Sequence, residues 1–117
     1  MTTIFPTLSD LENLARGAGK IVLSRFQTDH QIERKLTTDI VTEADALAEG
    51  FIIGEIQKRW ANHSIVAEES GESRQSSEYC WYIDPLDGTI NYAHGLPVFC
   101  VSIGLTFRNK LLLGAVF

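Results

Sequence analysis

Long apolar runs are missing from this sequence, and so is any surplus of positive charge. No stretch of the 117 residues is apolar for long enough to span a bilayer, so no membrane partner is expected. Met1 to Asp10 lack the basic end and apolar stretch of a signal peptide, and the expected location is the cytoplasm. Ten Lys and Arg against fifteen Asp and Glu leave a formal net charge of −5. A chain this acidic holds nucleic acid poorly through its phosphates, and none is expected as a partner. It can still take a phosphate if cations sit between its carboxylates and the ligand. Cysteine is scarce. Cys80 and Cys100 lie in apolar, strand-like segments with no metal-ligating neighbours in sequence, and they read as buried free thiols. His30, His63 and His94 are far apart in sequence, and each reads as structural or superficial. There is no repeat, low-complexity stretch or linker. With 44% hydrophobic and 21% charged residues, what remains is one small globular domain with a core of its own.

Periodicity divides the chain into a helical part and a strand part. Leu8, Leu11, Leu14, Ala15, Ala18, Val22 and Phe26 recur at helical spacing, with Ser9 or Asp10 as the expected cap. Gly17 and Gly19 either weaken this helix or let something pack close. His30 to Lys35 alternates like a half-exposed strand. A second helix is expected from Glu43 to Trp60, its apolar face made by Ala44, Leu47, Ala48, Phe51, Ile52, Ile56 and Trp60. Thr42 with Asp45 has the form of a capping box at its start. Four strands then follow: Ser64 to Ala67, Cys80 to Ile83, Val98 to Phe107, and Leu111 to Phe117. Gly71 to Glu78, with Arg74, reads as a solvated loop, and Arg108, Asn109 and Lys110 as a turn. Trp60 and Trp81 read as core. The last strand leaves an apolar edge with unpaired backbone, so association with further copies, most simply as a homodimer, is expected.

Two of those strands end in acids: Ile65-Val66-Ala67-Glu68-Glu69 and Trp81-Tyr82-Ile83-Asp84-Pro85-Leu86-Asp87. Apolar strand ends hold such acids rigidly at one edge of a sheet, and hard divalent cations want oxygen ligands of this kind. Acids gathered without a cation repel one another, and a metal removes that penalty. Pro85 fixes its own backbone angle, which suits a turn that aims Asp84 and Asp87 at one point beside the Leu86 carbonyl. Gly88 allows close backbone approach. A short helix starting near Asp87 would offer its first amides to a phosphate. Each piece has a plain reading when taken alone. Asp-Gly is a common turn pair, Glu68-Glu69 a common solvated face, and Asp45 a common helix cap. The ordered set of three segments is what points to a site.

Lys35, the run Asp39-Ile40-Val41-Thr42-Glu43-Ala44-Asp45, the run Ala67-Glu68-Glu69-Ser70-Gly71-Glu72, and the run from Trp81 to Tyr92 with Pro97 resemble the inositol monophosphatase family. The likeness runs from about Leu8 to Phe117. It implies an α/β (α+β) fold, the amino-terminal half of a layered αβαβα phosphatase, with two helices packed on a largely antiparallel sheet and a single incomplete domain over 1–117. It also implies Mg2+ as cofactor, with lithium sensitivity. Glu68, Asp84 and the Leu86 carbonyl would hold a first ion, and Asp84 and Asp87 a second. Gly88 and Thr89 would bind phosphate through their amides. Thr89 and Asp45 would orient and deprotonate the attacking water, and Glu69 would act near the metals. Lys35, aligned across a one-residue gap, would match a lysine near a mobile loop. The implied reaction is direct in-line attack of water on the phosphorus of a small phosphorylated polyol or sugar, without a phosphoenzyme. The family's second metal also calls for an aspartate in a Trp-Asp motif that these 117 residues do not contain. The expectation is therefore a truncated product or a naturally short reading frame.

Haloacid dehalogenase phosphatases also pair aspartates before Gly-Thr, but with one residue between them, the first being a covalent nucleophile. Here Pro85 and Leu86 separate Asp84 from Asp87, and that scheme has no place for Glu68-Glu69. Within the family the inositol monophosphatase branch is the closest likeness, ahead of relatives acting on fructose 1,6-bisphosphate, adenosine 3′,5′-bisphosphate or histidinol phosphate. A catalytically incomplete fragment, serving as a metal-binding or oligomerising relic, is the non-enzymatic alternative.

Overall fold

Two long helices cover one face of a sheet in the computed structural model, which describes residues 5–26, 37–68 and 70–117, with the backbone alone for 37–42. Helix α1 (Leu8–Ser24) is started by Thr7 and not by Ser9 or Asp10. The Thr7 hydroxyl accepts from Asp10 N at 3.2 Å, while Asp10 Oδ2 accepts from Thr7 N at 2.8 Å. The box thus satisfies two backbone amides at once. Leu11, Leu14, Ala15, Ala18 and Val22 form the buried stripe.

Helix α2 (Thr37–Arg59) starts well before the expected Glu43. Thr42 therefore lies inside the helix, and a capping box of Thr42 with Asp45 does not exist. The expected strand from His30 to Lys35 lies outside the described residues, save that 37 onward is already helix. Ala44, Ala48, Ile52 and Ile56 recur every fourth residue and are fully buried. The two helices run antiparallel: Arg59 at the end of α2 meets Asp10 at the start of α1, and Arg25 just past α1 meets Glu43, both at 3.0 Å. Gly17 lets the Phe51 ring rest against α1, and Gly19 does the same for Phe117.

The sheet has the order β2-β1-β3-β4-β5, built from β1 (Ser64–Ala67), β2 (Gly71–Ser73), β3 (Tyr79–Asp87), β4 (Cys100–Phe107) and β5 (Lys110–Val116). Among the described residues, only β1 and β3 pair in parallel, and the other three ladders are antiparallel. The expected loop from Gly71 to Glu78 contributes β2 as a short edge strand. Arg108 and Asn109 both adopt positive φ (53° and 67°), the twist that a two-residue hairpin requires, and Lys110 already belongs to β5. Ile65, Ala67, Trp81, Ile83, Val101, Ile103 and Leu105 face the helices and are buried. A short helix α3 (Thr89–Ala93) follows β3. It is tied to the end of α1 by the Tyr92 hydroxyl, which donates to Val22 O at 2.9 Å. Trp60 and Trp81 are core residues as expected, and among the described residues no helix is long and apolar enough to cross a membrane.

Candidate active site

The centre of the site is an irregularity in β3. Asp84 pairs with Ser102 and Asp87 with Cys100, so three steps along β3 match two steps along β4. In a regular strand, residues three apart point to opposite faces. One extra residue restores the parity. Ser102 and Cys100 share a face of β4, so Asp84 and Asp87 share that face too, the one turned away from the helices. Pro85 fits here because a bulge tolerates a residue without a backbone donor. Leu86 is buried, and its amide donates to Asp84 Oδ1 at 3.3 Å. The strand was expected to stop at Asp84; it runs on through Asp87, and it is the bulge that brings the two acids together.

Glu68 arrives from the neighbouring strand. The last parallel pair is Ala67 with Ile83, so the next residue on each strand brings Glu68 level with Asp84. Both line a hollow of about 560 Å³ on the open sheet face, together with Ser102. Glu68 and Asp87 are exposed, while Asp84 is half-buried. Burial, with Asp87 and Glu49 close by, pushes the Asp84 carboxyl above its usual range. Cys100 is half-buried, less so than expected, and its thiol lies 3.9 Å from Asp87 Oδ2. Burial and the Asp87 and Asp84 carboxylates push this thiol's pKa up, which keeps it protonated.

Gly88 closes β3 and caps α3 with φ 93°. A Cβ there would stand 2.9 Å from Val98 O, so glycine is required by conformation and by space. Asn91 Nδ2 donates to the same Val98 carbonyl at 2.9 Å. The first inward hydrogen bond of α3 is from Tyr92 N to Gly88 O (3.0 Å), so the amides of its first turn have no partner inside the helix. Thr89 opens α3, half-buried.

Asp45 is buried in α2 at 3% exposure, one turn before Glu49 at 2%. Glu49 was not singled out from the sequence. Its carboxylate accepts from Ser70 N at 2.8 Å and from Ser70 Oγ at 2.5 Å, reaching from the helix layer to the turn after β1. The available signal was two acids four residues apart inside the apolar stripe of Ala44, Ala48, Ile52 and Ile56. Lys35 and Glu69 lie outside the described residues.

The donors are all oxygen, which suits a hard cation; burial, and after it the nearby carboxylates, lifts Asp84, and a cation would relieve the repulsion part of that. Among the described residues, however, no three acidic, cysteine or histidine side chains converge closely enough to grip an ion. The strand register sets the acids around one place; the side chains do not close on it.

A model of the inositol monophosphatase family matches residues 6–117. The chain belongs to that family. It is 39% identical over 107 residues to inositol monophosphatase 3 of Solanum lycopersicum, covering 88% of this chain and 40% of that protein. It is 46% identical over 102 residues to the inositol-1-monophosphatase of Synechocystis sp., covering 86% of this chain and 36% of that one. Among solved structures, the inositol monophosphatase from Anabaena (Nostoc) sp. PCC 7120 superposes with a TM-score of 0.78 at 38% identity, over 94% of this chain and 38% of that chain. The chain thus spans roughly two fifths of the length of these relatives, their amino-terminal part.

Proposed function

We propose that this protein is a magnesium-dependent phosphate monoester hydrolase of the inositol-1-monophosphatase type, acting on a small phosphorylated polyol or sugar. The observation that carries the reading is the β3 bulge, which puts Asp84 and Asp87 on one face with Glu68 level beside them. Glu68, Asp84, Asp87 and the Leu86 carbonyl would hold Mg2+. When bound, the ion would acidify water and offset negative charge on the phosphate and leaving group. The chain's own residues do the rest. Thr89 and Asp45 orient the attacking water and take its proton. The amides of Gly88 and Thr89 receive the phosphate at the start of α3, where the helix leaves them unpartnered. By the family likeness, Glu69 would assist near the ions, and Lys35 would match the lysine near a mobile loop. Water attacks phosphorus directly, and no phosphoenzyme forms.

The test is phosphate release from inositol 1-phosphate with and without Mg2+. Release should need Mg2+, disappear in Asp84→Asn, and carry oxygen-18 from labelled water into the phosphate. Label entering through a trapped phosphoaspartate would overturn the mechanism. Fructose 1,6-bisphosphate, adenosine 3′,5′-bisphosphate and histidinol phosphate, assayed alongside, would show whether the substrate belongs to another branch.

A second reading is favoured by the open arrangement of the described acids. In it, the chain is a metal-binding or oligomerising module that keeps an incomplete site. Well-folded protein that binds Mg2+ without turnover would support it. Sensitivity to lithium belongs with the enzymatic reading. A cytoplasmic setting and a homodimer complete the proposal, supported by two free cysteines and by the exposed apolar edge of β5.

A further inference from the structure

We propose that Glu49 is a positioning residue, whose buried carboxylate holds the turn after β1 against α2 and so fixes where Glu68 stands relative to Asp84 and Asp87. The inference rests on the metal-site reading above. Glu68 is exposed and sits past the last pair of the β1–β3 ladder, so the ladder itself does not fix it. β1 has only four residues, and β2 resumes pairing at Gly71 after a reversal with φ 75°. Between the two strands, Ser70 is held by the Glu49 carboxylate. A carboxylate with 2% exposure pays a large desolvation cost unless it is well bonded, and charge-assisted bonds from a backbone amide and a hydroxyl are strong ones. Both come from the same serine, which locks that residue in place as well as satisfying the charge. Ser70 lies two residues after Glu68, so a shift at Ser70 carries Glu68 with it. Groups that orient metal ligands without touching the metal commonly change affinity by about 10- to 100-fold when removed.

The experiment uses Mn2+ as the probe ion, its affinity read by electron paramagnetic resonance, together with hydrogen exchange at the Ser70 amide. Glu49→Gln should weaken Mn2+ binding by about tenfold or more and speed Ser70 exchange, with the far-ultraviolet circular dichroism unchanged. Ser70→Ala, at an exposed position, should weaken binding less. The double variant should be no worse than Glu49→Gln alone, because both changes cut one link. Unchanged Mn2+ affinity in folded Glu49→Gln, or additive losses in the double variant, would overturn the proposal; additivity would mark Glu49 as acting on the ion directly. If the unaltered chain binds no Mn2+, it is the metal reading that fails. The tether is then judged by Ser70 exchange alone: faster exchange in Glu49→Gln supports it, and retained protection refutes it.

Discussion

At Gly88 the backbone has φ 93° and the space where a side chain would stand is filled by Val98 O and the Phe99 backbone. Gly88→Ala therefore meets conformational strain and overlap together, and should cost about 1–3 kcal/mol, visible as a melting temperature several degrees lower. Asp84 makes the opposite case. Its carboxyl pKa is raised by burial, with Asp87 and Glu49 adding to the effect. A carboxyl whose folded pKa lies above its unfolded one opposes folding once the pH passes the unfolded value of about 4. At neutral pH without metal, Asp84→Asn should therefore melt at least as high as the unaltered chain, while Mg2+ should no longer raise its melting temperature. A clear fall in the metal-free melting temperature would refute the account of a crowded acid retained for its ligand. That Asp84 and Asp87 meet on one face could be read from sequence, because they lie in one short run with Pro85 between them and Gly88 after it. Glu49 could not, because its meaning lies in Ser70, a residue 21 positions away that only the tertiary fold brings to it.

Between elements, the end of α2 is bound to β3 by a ring cluster. Trp81 Nε1 donates to His63 Nδ1 at 3.0 Å, and the His63 ring stacks on Tyr79 with centroids 4.7 Å apart. That hydrogen bond requires a neutral imidazole, and burial holds the His63 pKa below its usual value. The unfolded chain takes up the proton at about pH 6.5 and the folded one only at lower pH. Stability is therefore complete above about 6.5 and is lost as the pH falls below it. Melting curves from pH 7.5 to 5.5 should slope downward for the unaltered chain and flatten in His63→Gln. Where the sequence misled, it did so at element starts. Thr37, Thr38, Ile40, Val41 and Thr42 are β-branched and poor helix formers, which hid the first turns of α2 behind the apolar pattern that begins at Ala44. Thr7 was passed over because Ser9 and Asp10, good cap residues too, stand two and three positions beyond it. β2 is three polar residues, too short for alternation to show. The long helices, β1, β4, β5 and the hairpin at Arg108 and Asn109 were legible because their apolar period or turn position recurs over enough residues to outweigh local exceptions.

Over the whole molecule, burial is lopsided. Among the described residues, the helices seal one face of the sheet, while the other face and the β5 edge are left uncovered. β5 pairs only with β4 among the described strands, so its outer backbone groups have no ladder partner there. Leu111, Leu112 and Val116 on that strand are each more than half exposed, and Lys110 is its one charge. Natural edges are usually blunted by charge, proline or cover, and this one has only a lysine at its end. A second copy pairing antiparallel along β5 satisfies both backbones and covers both sets of leucines, since an antiparallel edge is its own complement. The 117-residue chain should therefore show concentration-dependent association in sedimentation velocity. Leu112→Lys should return it to monomer, with the helical circular dichroism retained. Leu112 lies outside the hollow that Glu68 and Asp84 line, so Mn2+ affinity should persist in the monomer. A chain that sediments as a monomer at every concentration would remove the edge as an interface and leave the metal reading untouched.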